Sequence, residues 1–104
     1  MRTKSYRDDL LESLKNPDEA AAYLDAALEG GDRSAFLLAI KDVTDANGGV
    51  KEVAALAHLN RETLYRTLSE NGNPKLTSLE SILHAVGLRL SIEPTVAASG
   101  MAGS

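Results

Sequence analysis

The chain has 104 residues, 43% of them hydrophobic, with 11 basic and 15 acidic side chains and no cysteine. That length suits one domain, and a net charge of −4 creates no overall attraction to nucleic acid or anionic membrane. The absence of cysteine excludes disulfides, thiolate zinc sites and a cysteine nucleophile.

Apolar runs are only a few residues long, too short to span a bilayer. The basic start MRTKSYRDDLLESLK turns acidic before any apolar stretch, unlike a secretory signal, so a soluble cytoplasmic protein is expected. In chain order, Ser5 can cap a helix from Tyr6 to Lys15, with Asp8 three residues on and Leu10, Leu11 and Leu14 on one side. Asn16 followed by Pro17, Asp18 and Glu19 starts a second helix, combining a cap, a proline at the first helical position and acids near the positive end of the dipole. That helix carries Ala20, Tyr23, Leu24, Ala27 and Leu28 at helical spacing and stops at Gly30 and Gly31. Asp32 caps a third helix with Phe36, Ile40 and Val43 in register, ending at Asn47-Gly48-Gly49.

Val50 to Ala57 reads as a short helix with Val53, Leu56 and Ala57 inward, followed by the tight turn His58-Leu59-Asn60 and a helix from Arg61 to Glu70. Asn71-Gly72-Asn73-Pro74 is a loop, and Thr77-Ser78-Leu79-Glu80 has the pattern of a capping box opening a helix with Leu79, Ile82, Leu83 and Val86 in register. After Gly87 the period changes. Leu88, Leu90 and Ile92 alternate with Arg89, Ser91 and Glu93, which predicts a short strand ended by Pro94. The expected architecture is therefore all-α with one short C-terminal β-strand, a single domain over residues 1–94, and a disordered tail over 95–104. A lone strand has no ladder partner in a helical body, so it should pair with its own copy or another protein, or else lie as an extended tail over the helices.

The stretch VKEVAALAHLNRETLYRTLS (residues 50–69) has the spacing of a helix-turn-helix. Ala54 lets the second helix approach the first, Leu59 plugs the corner, Asn60 caps, and Leu64 with Leu68 forms the inward stripe. The outward face then holds Glu62, Tyr65, Arg66 and Ser69, flanked by Thr63, with Arg61 and Glu62 at the helix start that usually enters the major groove, a set able to hydrogen-bond base edges. Tyr65 can stack on a base or simply cover the core edge. Asn71, Asn73, Lys75 and Thr77, with Lys51 on the first helix, are candidate phosphate contacts; the loop residues are otherwise a solvated turn. Residues 1–47 hold six basic and ten acidic side chains, whereas residues 50–78 hold four basic and three acidic, the only positive section.

The segments NPDEAAAYLDAALEGGDRSAFLLAIKDV (residues 16–43), LNRETLYRTLSENGNPKLTSLESIL (59–83) and VGLRLSIEP (86–94) resemble the antidote (antitoxin) proteins of addiction modules, small helix-turn-helix antitoxins of the Xre/Hig type. The resemblance implies a lambda-repressor-like helix-turn-helix domain with extra N-terminal helices. It also implies a homodimer that represses its own operon and neutralises a RelE-like toxin by direct binding. The recognition helix would fall on Arg61, Glu62, Thr63, Tyr65, Arg66 and Ser69, reading a near-palindromic operator. One departure from the pattern is His58, at a turn position often filled by glycine because the backbone is left-handed there. Leu88, Leu90 and Ile92 would face a dimer or toxin partner. The acidic stretch from Asp18 to Asp45, with Asp8, Asp9 and Glu12, would steer a basic toxin or simply be solvated.

No enzyme, cofactor or metal site is legible: His58 and His84 have no fixed spacing to each other or to a carboxylate, and neither glycine pair is followed by the Lys-Ser/Thr of a phosphate loop. The rival reading is a helix-turn-helix interaction module that does not touch DNA, or a regulator without a toxin partner.

Overall fold

The computed structural model describes residues 5–69 and 73–95. Six helices follow in order: α1 (Tyr6–Ser13), α2 (Pro17–Glu29), α3 (Arg33–Ala46), α4 (Gly49–Ala57), α5 (Arg61–Leu68) and α6 (Leu76–Ala85).

The first three helices begin where a side chain can satisfy an otherwise orphaned amide. Ser5 Oγ accepts from the Asp8 amide at 3.0 Å while the Asp8 carboxylate accepts from the Ser5 amide at 3.4 Å, a reciprocal capping box. Asn16 Oδ1 accepts from the amides of Asp18 and Glu19, with Pro17 in the first turn. Asp32 Oδ1 accepts from the Ser34 amide. α3 gives way to α4 through Gly48, at φ 105°; a Cβ there would come 2.8 Å from the Glu52 side chain.

α2 packs on α3, α3 on α4, and α4 on both α5 and α6, so the helices enclose one core. Leu14, Leu24, Ile40, Val43, Val53, Leu64, Ile82 and Leu83 are all buried in it. Burying such side chains is worth roughly 1.5–3 kcal/mol each, and this is what drives short helices, individually marginal in water, to form at all. Leu14 caps α1 and is its main anchor, because no residue within α1 itself is fully buried.

A polar cluster pins α1 and α2 to α3. Asp42, only 9% exposed, accepts from Tyr23 Oη at 2.7 Å and from Arg7 Nη1 at 3.0 Å. Asp45 accepts from Arg7 Nη2 at 2.8 Å and from Lys41 Nζ at 3.3 Å. Burial, followed by the hydrogen bond to a carboxylate, pushes the Tyr23 pKa up to about 12. Asn47 Nδ2 adds bonds to the carbonyls of Val43 and Leu14.

Several sequence expectations are corrected. α1 ends at Ser13 rather than Lys15, and α4 starts one residue early, at Gly49. Leu56 is 54% exposed instead of inward, because it lies roughly 110° around the helix from the centre of the Val50–Val53–Ala54–Ala57 arc. Leu28 is 51% exposed, on the rim of an open groove that it lines with Phe36, Leu88 and Leu90. The capping box expected at Thr77 does not form: α6 starts at Leu76, with Lys75 as its cap residue and no side-chain capping bond. Residues 75–77 are exposed, so water can satisfy the amides that such a box would have served.

The strand expected over residues 88–93 is not formed. Residues 88–95 have no regular secondary structure, and no strand occurs among the described residues. A strand exists only through its ladder, and a helical body offers no edge. The expected tail beyond residue 95 lies outside the described residues.

Candidate nucleic-acid interface

Two short helices and the turn between them present the outward residues singled out in the sequence. α4 closes with paired backbone bonds: the Leu59 amide donates to the Ala54 carbonyl at 2.9 Å and the His58 amide to the Ala55 carbonyl at 3.3 Å. This is the Schellman pattern, which needs a left-handed residue at its centre. His58 supplies it, at φ 59°, and is the one non-glycine residue with positive φ among the described residues. Leu59 is half-buried and packs on the core, as the corner residue was expected to do. Asn60 then caps α5, its Oδ1 accepting from the Thr63 amide at 2.7 Å.

α5 is divided sharply by its periodicity. Leu64, Thr67 and Leu68 are buried, at 0%, 7% and 8% exposure. Thr67 keeps its hydroxyl satisfied by donating to the Thr63 carbonyl at 2.8 Å, which lets a polar residue sit in the buried stripe. Ala54 is 2% exposed, and α4 and α5 pack together there as its small side chain permits. On the other side, Arg61, Glu62, Tyr65, Arg66 and Ser69 fall within an arc of roughly 140° and all are exposed. Thr63 is half-buried at its flank. α5 stops at Leu68, two residues before the expected end, because Ser69 turns to extended backbone (φ −66°, ψ 138°).

Among the described residues, none of Lys51, Arg61, Arg66 and Lys75 is held in an ion pair. Lys51 is exposed in the first turn of α4, and Asn73, Lys75 and Thr77 are exposed on the approach to and start of α6. Asn71 lies outside the described residues. The face as a whole offers guanidinium, ammonium, carboxylate and phenol groups to a ligand. It contains nothing arranged as nucleophile and base, and no three His, Asp or Glu side chains that could hold a metal come together among the described residues.

The sequence reading missed the Arg7–Asp42–Tyr23 cluster, which had no local signal because Arg7 and Asp42 are 35 positions apart. The cluster also corrects the proposed steering surface. Asp42 is buried and Asp45 is bound by two cations, whereas Asp18, Glu19, Asp25, Glu29 and Asp32 remain exposed.

No helix among the described residues is long and apolar enough to cross a membrane. Residues 4–94 match the family described as probable addiction module antidote protein. An uncharacterized protein of Haemophilus influenzae strain Rd is 28% identical over 92 residues, spanning 88% of this chain and 94% of that relative. No solved structure matches the chain.

Proposed function

This chain belongs to the addiction module antidote proteins, and on that premise we propose that it is a DNA-binding antitoxin that represses its own operon from the cytoplasm. An antidote has a toxin as its partner and is not an enzyme. The finer reading assigns α4 and α5 to a helix-turn-helix of the Xre/Hig type, on a lambda-repressor-like body extended by α1 and α2. α5 enters the major groove, Arg61, Glu62, Thr63, Tyr65, Arg66 and Ser69 face base edges, and Lys51, Asn71, Asn73, Lys75 and Thr77 lie toward phosphates.

The observation that carries this reading is the exposed face of α5, where Arg61 and Arg66 have no ion pair among the described residues and stand opposite a buried Leu64–Leu68 stripe. A guanidinium already bound to a carboxylate would have to break that bond before reading guanine; among the described residues no carboxylate holds either of these two. Because the chain carries −4 overall, one copy is weakly attracted to DNA, and a homodimer on a near-palindromic operator supplies the missing affinity. The toxin is RelE-like and basic, steered by the exposed acids of α2 and Asp32.

The test is a band-shift series on the DNA upstream of the chain's own gene. Arg66→Ala should cost about 1–3 kcal/mol of operator binding and relax choice at one base position. Lys75→Ala should weaken binding evenly across sequences and lower the salt slope by about one. Parent-like binding by Arg66→Ala would remove α5 as the reading helix. The weak charge of residues 50–78 favours a second reading, a module that binds protein alone; loss of all DNA binding at modest salt, whatever the sequence, would select it.

A further inference from the structure

Beyond α6, Leu88 is half-buried against the core, but the apolar side chains after it are progressively uncovered: Leu90 is 38% exposed and Ile92 99%. Their order, Leu-Arg-Leu-Ser-Ile-Glu-Pro, has a symmetry that a foreign partner strand would not require. Laid antiparallel on a second copy about Ser91, Arg89 meets Glu93, Leu90 meets Ile92, and Leu88 meets Pro94, each pair occurring twice. Like meets like or opposite charge meets opposite at every position.

The backbone selects the same register. In an antiparallel ladder, alternate residues either exchange both hydrogen bonds with the partner strand or turn their amides away from it. Pro94 has no amide hydrogen, so it belongs at a position turned away. The Leu88 amide is also committed elsewhere, donating to the Leu83 carbonyl at 2.8 Å where Gly87, at φ 85°, closes α6. Both fall on the even positions. The odd positions, Arg89, Ser91 and Glu93, are therefore the ones that exchange bonds across the two-fold axis. Leu90 and Ile92 then occupy the non-bonded pairs, where side chains approach most closely.

We infer that residues 89–93 pair antiparallel with the same residues of a second copy, centred on Ser91 and selected by reciprocal Arg89–Glu93 contacts. The pairing satisfies the unpaired backbone, and it covers Ile92 with the partner's Leu90. It deepens the dimer of the proposed function by naming its surface, and it involves none of the residues assigned to DNA.

Self-association of the full chain, measured by sedimentation equilibrium without DNA or toxin, tests it. Arg89→Glu and Glu93→Arg, both at exposed positions, should each raise the dimer dissociation constant roughly tenfold to a hundredfold, because two favourable cross-strand pairs become like-charged. An equimolar mixture of the two variants should recover parental dimerisation as a heterodimer, as should the double swap within one chain. A dimer indifferent to both single inversions, or one that the mixture fails to restore, overturns the strand pairing but leaves the homodimer standing. A monomeric parent chain removes both, including the case where residues 88–94 become protected only in complex with the toxin.

Discussion

α1–α3 and α4–α6 use charge in opposite ways. In the first group Arg7 is bound to Asp42 and Asp45, Lys41 to Asp45, and Lys15 to Glu12. In the second, Asn60 Oδ1 accepts from the Thr63 amide and Thr67 Oγ1 donates to the Thr63 carbonyl, both local to α5, and the four cations of residues 50–78 have no ion pair among the described residues. In the N-terminal group, Arg7 with Asp42 and Asp45 ties α1 to α3. The cations near α5 hold no helix to another among the described residues. A charge that stabilises the native state through a bound partner is a poor recognition group, because the intramolecular bond must be broken first.

Asp42→Ala should give the largest break in that contrast. It removes the acceptor of Tyr23 and leaves a half-buried hydroxyl unpaired, costing about 1–3 kcal/mol in urea unfolding. Operator binding measured well below the unfolding midpoint should stay at the parental value. A matching loss of DNA affinity would show that the two groups of helices are not separable.

Tyr23→Phe should cost about 1–1.5 kcal/mol near neutral pH. Because the folded pKa of Tyr23 is raised to about 12 from an ordinary value of 10, its contribution is intact below pH 10 and is lost as pH rises through the folded value. The difference between parent and variant should therefore shrink between pH 10 and 12, and a constant difference across that window would remove the Tyr23–Asp42 bond as its source.

His58→Gly should act in the opposite direction, raising stability by up to about 1 kcal/mol, since the left-handed backbone there is strained for any residue with a Cβ. Thermal unfolding checks it. Destabilisation would mean that the imidazole does more than occupy the turn. The smallest expected effect on folding belongs to Arg66→Ala, within about 0.5 kcal/mol, as for an exposed residue with no ion pair among the described residues. That variant, damaged in DNA binding and intact in stability, is the mirror image of Asp42→Ala.

The caps at Ser5, Asn16, Asp32 and Asn60, the left-handed turn at His58 and the two faces of α5 were legible without any tertiary information. Each is decided by groups within about four residues of one another, through one hydrogen bond or one angular step per residue. The symmetry of residues 88–94 is likewise written in the chain, although the helical body leaves it unpaired.

Other features depended on what packs against them. Leu56 and Leu28 have the same chemistry as their buried neighbours; only the position of the facing helix leaves them exposed. Thr77 through Glu80 satisfies a capping rule, yet α6 begins at Leu76, where exposed amides are free to bond to water. Arg7 and Asp42 could not be matched by inspection, since any of several acids was available and only the fold of α1 over α3 selects one. Local geometry is fixed by short-range bonds that the sequence itself specifies, whereas burial and charge pairing are properties of surfaces brought together from distant parts of the chain.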